Sequence, residues 1–392
     1  MSMLPSVVRW GAASSFVGLV GLVGLAGLGA CSSFGAEDGA SESSDASGSD
    51  VSSGETSLPD GASTDAEAGP CDTTKLATDT LNCGACGRRC ETSCESGMCK
   101  PLPLGGPKLS LPTGAHFVVD ETSIFVSDLS NIYECATPGF GLACSWTPKL
   151  ANGRDTFLTP SPLALSPKRL FWGTSSSAMG TTSSLWSSAR GPGAASTQSA
   201  APDAFALAAN AAATSVLLID STNARTVHEF QCTDSTCKEL TTVGTNARAI
   251  TTNGSRICFL GSASQASFGL VCDANGSGTV NLPIDPDSVG VAMAGDSAFV
   301  VSPQGVYAAK LGAMPGLQEI GKVGGTGPIV ADQKSVYFAS NSTIYRCSHT
   351  DCSSPSKVSD RPGKVVTELG IAGDYLYFLE ADPTVSLLRI PK

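Results

Sequence analysis

Histidine is nearly absent, with three in 392 residues, and charged residues make up 15% of the chain. The 24 Lys and Arg are outnumbered by 35 Asp and Glu, giving a net charge of −11. That balance repels phosphate and excludes nucleic acid as a partner. No Gly-x-Ser-x-Gly elbow and no phosphate-cradling glycine loop occurs, so two common enzymatic frameworks are missing. None of His116, His228 and His349 has a metal-type neighbour at short spacing, and neither a metal nor a cofactor is implied.

What the chain does contain is a short stretch that returns seven times. An apolar pair, a polar turn and an apolar or aromatic triplet appear first around Ile124-Phe125-Val126. The triplets that follow centre on Phe171, Leu217, Cys258, Phe299, Tyr337 and Tyr377, at spacings of 46, 46, 41, 41, 38 and 40. A period in the low forties carrying short strands is the signature of propeller blades. Turn residues cut each copy into four strands, A to D. In the first copy they fall at 116–119, 124–127, 131–136 and 146–150. Strand C has its own echo, an aromatic or leucine two residues before a small, apolar or sulfur residue, as in Tyr133-x-Cys135 and Tyr345-x-Cys347. A long sandwich of the same strands would not require a fixed period. The expected fold is therefore all-β, a seven-bladed β-propeller over residues 107–392.

The last copy ends in strand C, at residues 387–392, with nothing left for strand D. Lys108-Leu109-Ser110-Leu111-Pro112, ahead of the first strand A, is expected to supply it and close the ring. The region resembles secreted seven-bladed propellers, including those in bacterial lipoproteins with tyrosine-tryptophan-type repeats. Phe171-Trp172-Gly173-Thr174 is the nearest match to their signature and lacks its usual acid.

Ahead of the ring lie three other regions. Residues 1–30 carry Arg9 and then a long run of Gly, Leu, Val and Ala that ends Leu28-Gly29-Ala30-Cys31. A membrane-spanning helix is one reading, because the run has about the 20 residues a bilayer needs. Gly21, Gly24, Gly27 and Gly29 in its last part make it a poor helix interior. The terminal motif resembles a bacterial lipobox, which implies cleavage before Cys31, lipid on its thiol and new amine, and a membrane as partner through that anchor. Ser32 rather than Asp follows; in sorting systems resembling the enterobacterial one this implies the outer membrane, on its periplasmic or exterior face. Residues 31–70 hold nine acids and no Lys or Arg, the composition of a disordered, self-repelling tether.

Residues 71–100 contain Cys71, Cys83, Cys86, Cys90, Cys94 and Cys99. Six cysteines in so short a stretch demand a metal or disulfides. Cys83 and Cys86 alone would suit zinc, but thiols beyond an export signal oxidise, which favours three disulfides of unassigned pairing. Asn82-Cys83-Gly84-Ala85-Cys86-Gly87 and the closing Gly97-Met98-Cys99 resemble the cysteine motif of stigma-specific-type proteins. That likeness implies a small stapled module and no activity.

The eight remaining cysteines fit the blade map. Cys135/Cys144, Cys232/Cys237 and Cys347/Cys352 each bracket a strand C–strand D hairpin, which leaves Cys258 to pair with Cys272. Propeller enzymes gather ionisable groups at the inner ends of their A strands. Here those places read His116, Pro162, Phe205, Ala249, Gly290, Pro328 and Glu368. Two ionisable residues in seven are too few for a calcium cage or an evident acid–base pair. No catalytic residue is assigned, and His116 and Glu368 are kept as channel candidates. The expectation is a monomeric, lipid-anchored, non-catalytic module that binds a protein or glycan. The alternative is a lactonase-like or lyase-like propeller using His116 and Glu368. A ligand is expected on the face of the B–C and D–A loops, with 174–184 and 261–268 the longest B–C loops.

Overall fold

The recurring triplet is buried because it has protein on both sides. Ile124, Phe125, Val126, Ala298, Phe299, Val300, Leu376 and Tyr377 are all fully buried, and the other triplets are nearly so. A strand buried on both faces reads as a continuous apolar run, whereas strand C, with its mixed burial, keeps its alternation. The structure, a computed structural model, describes residues 71–105, 109, 111–129, 131–151, 161–174, 183–190, 196–210, 214–233, 236–263, 267–273, 279–312, 316–382 and 384–392. Thr64–Lys392 form one compact unit that holds both the cysteine module and the ring. The lipobox, Cys31 and the acidic tether lie outside the described residues.

The described strands build a seven-bladed β-propeller. Blade 1 comprises His116–Val119, Ser123–Ser127, Asn131–Ala136 and Thr147–Ala151, paired antiparallel in that order. Blade 2 runs from Leu163–Leu165 to Ser196–Ala200, and blade 3 begins at Ala204–Ala209. Blades 3 and 4 share the strand Cys237–Thr252, which leaves the outer edge of one and enters the centre of the next. Blade 5 spans Gly290–Ala294 to Leu317–Gly321, and blade 6 spans Ile329–Ala331 to Ser356–Asp360. Among the described residues seven apolar clusters occur. Each spans one seam between neighbouring blades, so the core is a ring of seams.

Closure differs from the expectation. The fourth strand of blade 7 is Leu102–Pro103, antiparallel to Thr384–Pro391, with Leu388 opposite Pro103 and Arg389 opposite Leu102. Leu104 N–H then donates to the Leu387 carbonyl at 2.9 Å. The segment proposed for this role contributes one isolated bridge, Leu111 to Val385. Proline is tolerated at 103 because an outermost strand has no further neighbour to satisfy. The Gly321–Gly327 run links the strands Leu317–Gly321 and Ile329–Ala331, and none of its glycines takes a positive φ. A Cβ at Gly324 would lie 2.0 Å from the Pro303 carbonyl oxygen, so close chain approach is what requires glycine there.

All fourteen described cysteines are bonded. In the module Cys71 joins Cys86, Cys83 joins Cys94 and Cys90 joins Cys99. Cys83, Cys90 and Cys99 bring their sulfurs together, but as two packed disulfides rather than thiolates able to hold zinc. In the ring the pairs are Cys135–Cys144, Cys232–Cys237, Cys258–Cys272 and Cys347–Cys352. Cys258 and Cys272 are direct cross-strand partners, with Cα atoms 4.1 Å apart. Non-reducing peptide mapping should recover that pair. Replacing both cysteines with Ser should cost about 3 kcal/mol by the chain-entropy model for a loop of this length. A free Cys258 thiol would refute the register of blade 4.

Candidate functional site

The inner ends of the A strands surround a cavity of about 580 Å³, lined by His116, Pro162, Phe205, Ala249, Gly290, Pro328 and Glu368 together with loop residues. All seven positions placed there from the repeat are present. The cavity lining includes the D–A residues Thr113, Gly114 and Val289 and the B–C residue Ser221, while Cys135–Cys144, Cys232–Cys237 and Cys347–Cys352 bracket the C–D loops. The two acid–base candidates meet across the seam of blades 7 and 1. Glu368 Oε2 accepts from Phe117 N–H at 2.8 Å, and Glu368 Oε1 lies 3.5 Å from His116 Nδ1. One carboxylate oxygen is thus held by the backbone of the next blade, so the contact ties the seam together. His228 and His349 have packing partners instead. His228 sits between Glu239 at 2.7 Å and Asp220 at 3.2 Å, and His349 Nε2 donates to the Asp332 carbonyl at 2.7 Å while the ring packs against Phe299.

A second cavity of about 640 Å³ shares Arg248 and Val289 with the first. Asn223, Arg225, Asn246, Ser262, Phe268 and Pro286 complete its lining. The B–C loop of blade 3 is fixed by Asp220, buried at its foot. Asp220 Oδ1 accepts from Thr222 N–H at 3.2 Å, the Thr222 hydroxyl at 2.7 Å and Thr226 N–H at 2.9 Å. Burial works against ionising this carboxyl, but Thr222, His228 and Thr226 outweigh it and hold it below the usual carboxylate range. The loop is then bonded to the connection between blades 3 and 4, by Asn246 N–H to the Ala224 carbonyl and Ala247 N–H to the Arg225 carbonyl. Ala247 is fully buried, and a Cβ at Gly244 would lie 2.6 Å from the Phe259 ring, so the connection is seated tightly.

Strand periodicity did not find this second cavity, because its residues sit in loops and at strand ends outside the repeated triplet. A signal was nonetheless present. Thr-Asn-Ala-Arg occurs twice, as Thr222-Asn223-Ala224-Arg225 and Thr245-Asn246-Ala247-Arg248. Folding sets the two copies side by side. Of the loops singled out for length, Phe268 reaches this cavity, whereas residues 175–182 and 264–266 lie outside the described residues.

No protein-family model and no curated protein matches the chain. Among solved structures it is similar to the WD40 repeats of RRP9, with a TM-score of 0.52 and 13% identity over 74% of this chain and 97% of that one. The β-propeller domain of the Trilobed protease from Pyrococcus furiosus, described as having an open velcro topology, aligns at 0.48 and 9% identity, over 73% and 94%. A gluconolactonase from Xanthomonas campestris aligns at 0.43 and 11%, over 74% and 100%. The first of these likenesses shows a β-propeller. It shows the fold alone.

Proposed function

We propose that the chain is an extracytoplasmic binding module, lipid-anchored through Cys31, whose propeller captures its ligand at the channel mouth without chemistry. The observation that carries this reading is the state of Glu368, the channel's acid. Its carboxylate accepts a backbone N–H from the neighbouring blade and faces His116, a geometry that serves cohesion of the ring. Apart from Arg248, the rest of the lining is apolar or lacks a titratable group, which suits recognition by shape, stacking and a few polar contacts. The seven disulfides suit an oxidising compartment such as the periplasm or cell exterior, and the lipobox with its acidic spacer and Ser32 supports a protein tethered to the outer membrane.

The deciding experiment presents the full chain to glycan and peptide arrays and to lactone substrates in parallel. The wild type is compared with His116→Ala plus Glu368→Gln and with a chain whose loops 174–184 and 261–268 are cut to tight turns. Ligand capture that survives the paired substitution and is lost with the loops supports the reading. Lactone turnover abolished by the pair would establish the enzyme instead. In membrane fractionation, Cys31→Ala should move the protein from the pellet to the soluble fraction.

A further inference from the structure

Nearly every well-placed arginine in this acidic ring has an anionic or polar partner. Arg190 is paired with Asp120, Arg361 with Glu380 and Arg389 with Glu91, while Arg169, Arg256 and Arg346 donate to side chains or carbonyls. Arg225 and Arg248 differ. Among the described residues neither guanidinium has a hydrogen-bond or carboxylate partner. Each lies instead over an aromatic ring, Arg225 over Phe205 at 4.0 Å and Arg248 over Phe268 at 5.1 Å. Stacking holds a guanidinium flat and leaves its N–H edge free, the state in which it grips an oxyanion bidentately.

The backbone around them is held in a costly shape. Four non-glycine residues among those described have positive φ, and two are Arg225 at 43° and Asn246 at 54°. Such positions persist where the surroundings enforce them, and they concentrate at ligand clamps. Here the enforcement is visible in the Asp220 carboxylate and the two backbone bonds that lock one Thr-Asn-Ala-Arg copy against the other. Asn223, Asn246 and Ser262 add amide and hydroxyl groups to the same wall, so a ligand would meet donors beyond the two cations. Asp285, next to Pro286 on the rim, accepts the Asp287 N–H and forms no ion pair with Arg248.

We propose that the paired Thr-Asn-Ala-Arg segments, one in a loop and one in the strand Cys237–Thr252, form a binding site for a small ligand carrying two or more oxyanion groups, carboxylate, sulfate or phosphate, gripped between Arg225 and Arg248. The site specifies the ligand class for the binding-module reading above, and rests on it.

The test uses the full chain with citrate, pyrophosphate and sulfate as probes and glucose as a neutral control, read by titration calorimetry at two salt concentrations. The wild type should bind at least one polyanion, more weakly at higher salt, and should ignore glucose. The best probe distinguishes a carboxylated ligand from a phosphorylated or sulfated one. Arg225→Ala and Arg248→Ala should each weaken binding about tenfold or more, the loss expected for one charge-assisted contact. Should an alanine variant fold poorly, Arg225→Lys and Arg248→Lys keep the charge, remove the fork and should still weaken binding. Lys238→Ala, an exposed cation on the outer strand of blade 3, should change nothing. Equal loss with Lys238→Ala, full binding by the Arg225/Arg248 variants, or no polyanion bound by the wild type overturns the assignment. Capture of a neutral glycan in the arrays, unchanged in the Arg225/Arg248 variants, overturns it while leaving the binding-module reading in place.

Discussion

Replacing Glu91 with Gln should cost about 3–5 kcal/mol, the penalty for leaving a buried charge without its partner. Glu91 belongs to the cysteine module and Arg389 to the last strand of the ring, and both side chains are excluded from solvent, at 1% and 0% exposure. The pair is bidentate: Arg389 Nε donates to Glu91 Oε2 at 2.8 Å and an Nη to Oε1 at 2.5 Å. The remaining donors of Arg389 reach the carbonyls of Pro138 and Gly139, both at 2.6 Å, and the Gly141 N–H donates to Glu91. The guanidinium also covers the Tyr375 ring at 4.6 Å. Burial, with the charge of Glu91 beside it, pushes that phenol up to about 12. A group so enclosed cannot recover water when its carboxylate disappears. Denaturant melts of wild type and Glu91→Gln measure the loss. A combined Glu91→Leu and Arg389→Met chain should regain much of it, because removing both charges leaves none stranded. A single-substitution change below about 0.5 kcal/mol, the range of ordinary surface replacements, would show that the module does not brace the ring.

The second large effect concerns where the chain begins. A protein starting at Pro107 should melt far below one starting at Cys71, and one starting at Thr113 should differ little from the Pro107 form. The first truncation removes Leu102–Pro103 from blade 7, the fully buried Leu104, and the carbonyl that accepts Trp146 Nε1 at 2.8 Å. It removes Glu91 as well. Burial of Leu104 alone is worth about 1.5–3 kcal/mol, and the stranded Arg389 adds about 3–5 kcal/mol. The second truncation removes the isolated Leu111–Val385 bridge and the largely buried Leu111 side chain. Thermal melts of the three chains decide the matter. If the Cys71 and Pro107 forms melt alike and the Thr113 form collapses, closure returns to residues 108–112.

The sequence carried the blades and missed their fastening for the same physical reason. A strand packed on both faces must be apolar throughout, so the seven triplets announce themselves. An outermost strand has one packed face and weak composition, as Ser196–Ala200 shows with no fully buried residue. Lys108-Leu109 resembles such a strand, whereas the true one is two residues long and contains Pro103. Cysteine pairing in the ring was legible because each pair brackets one turn. In the module fifteen connectivities are possible for six cysteines, and three-dimensional packing selects one. The A-strand ends were located by counting along the repeat. Arg225 and Arg248 stand outside the repeated triplet, where the only mark was a repeated tetrapeptide too short to register as a repeat.

The position of the closing strand has a mechanical consequence. Leu102–Pro103 begins three residues after Cys99, so a pull at Cys71 travels through a module that three disulfides make inextensible. The load arrives first at the Glu91–Arg389 contact and then at the two-residue strand. If that strand peels away, blade 7 retains its other three strands, and residues 105–115 keep the released strand tethered to blade 1. The fastening therefore stands in the line of tension, so that the buried Glu91–Arg389 pair and the Leu102–Pro103 strand carry a pull before the blades do.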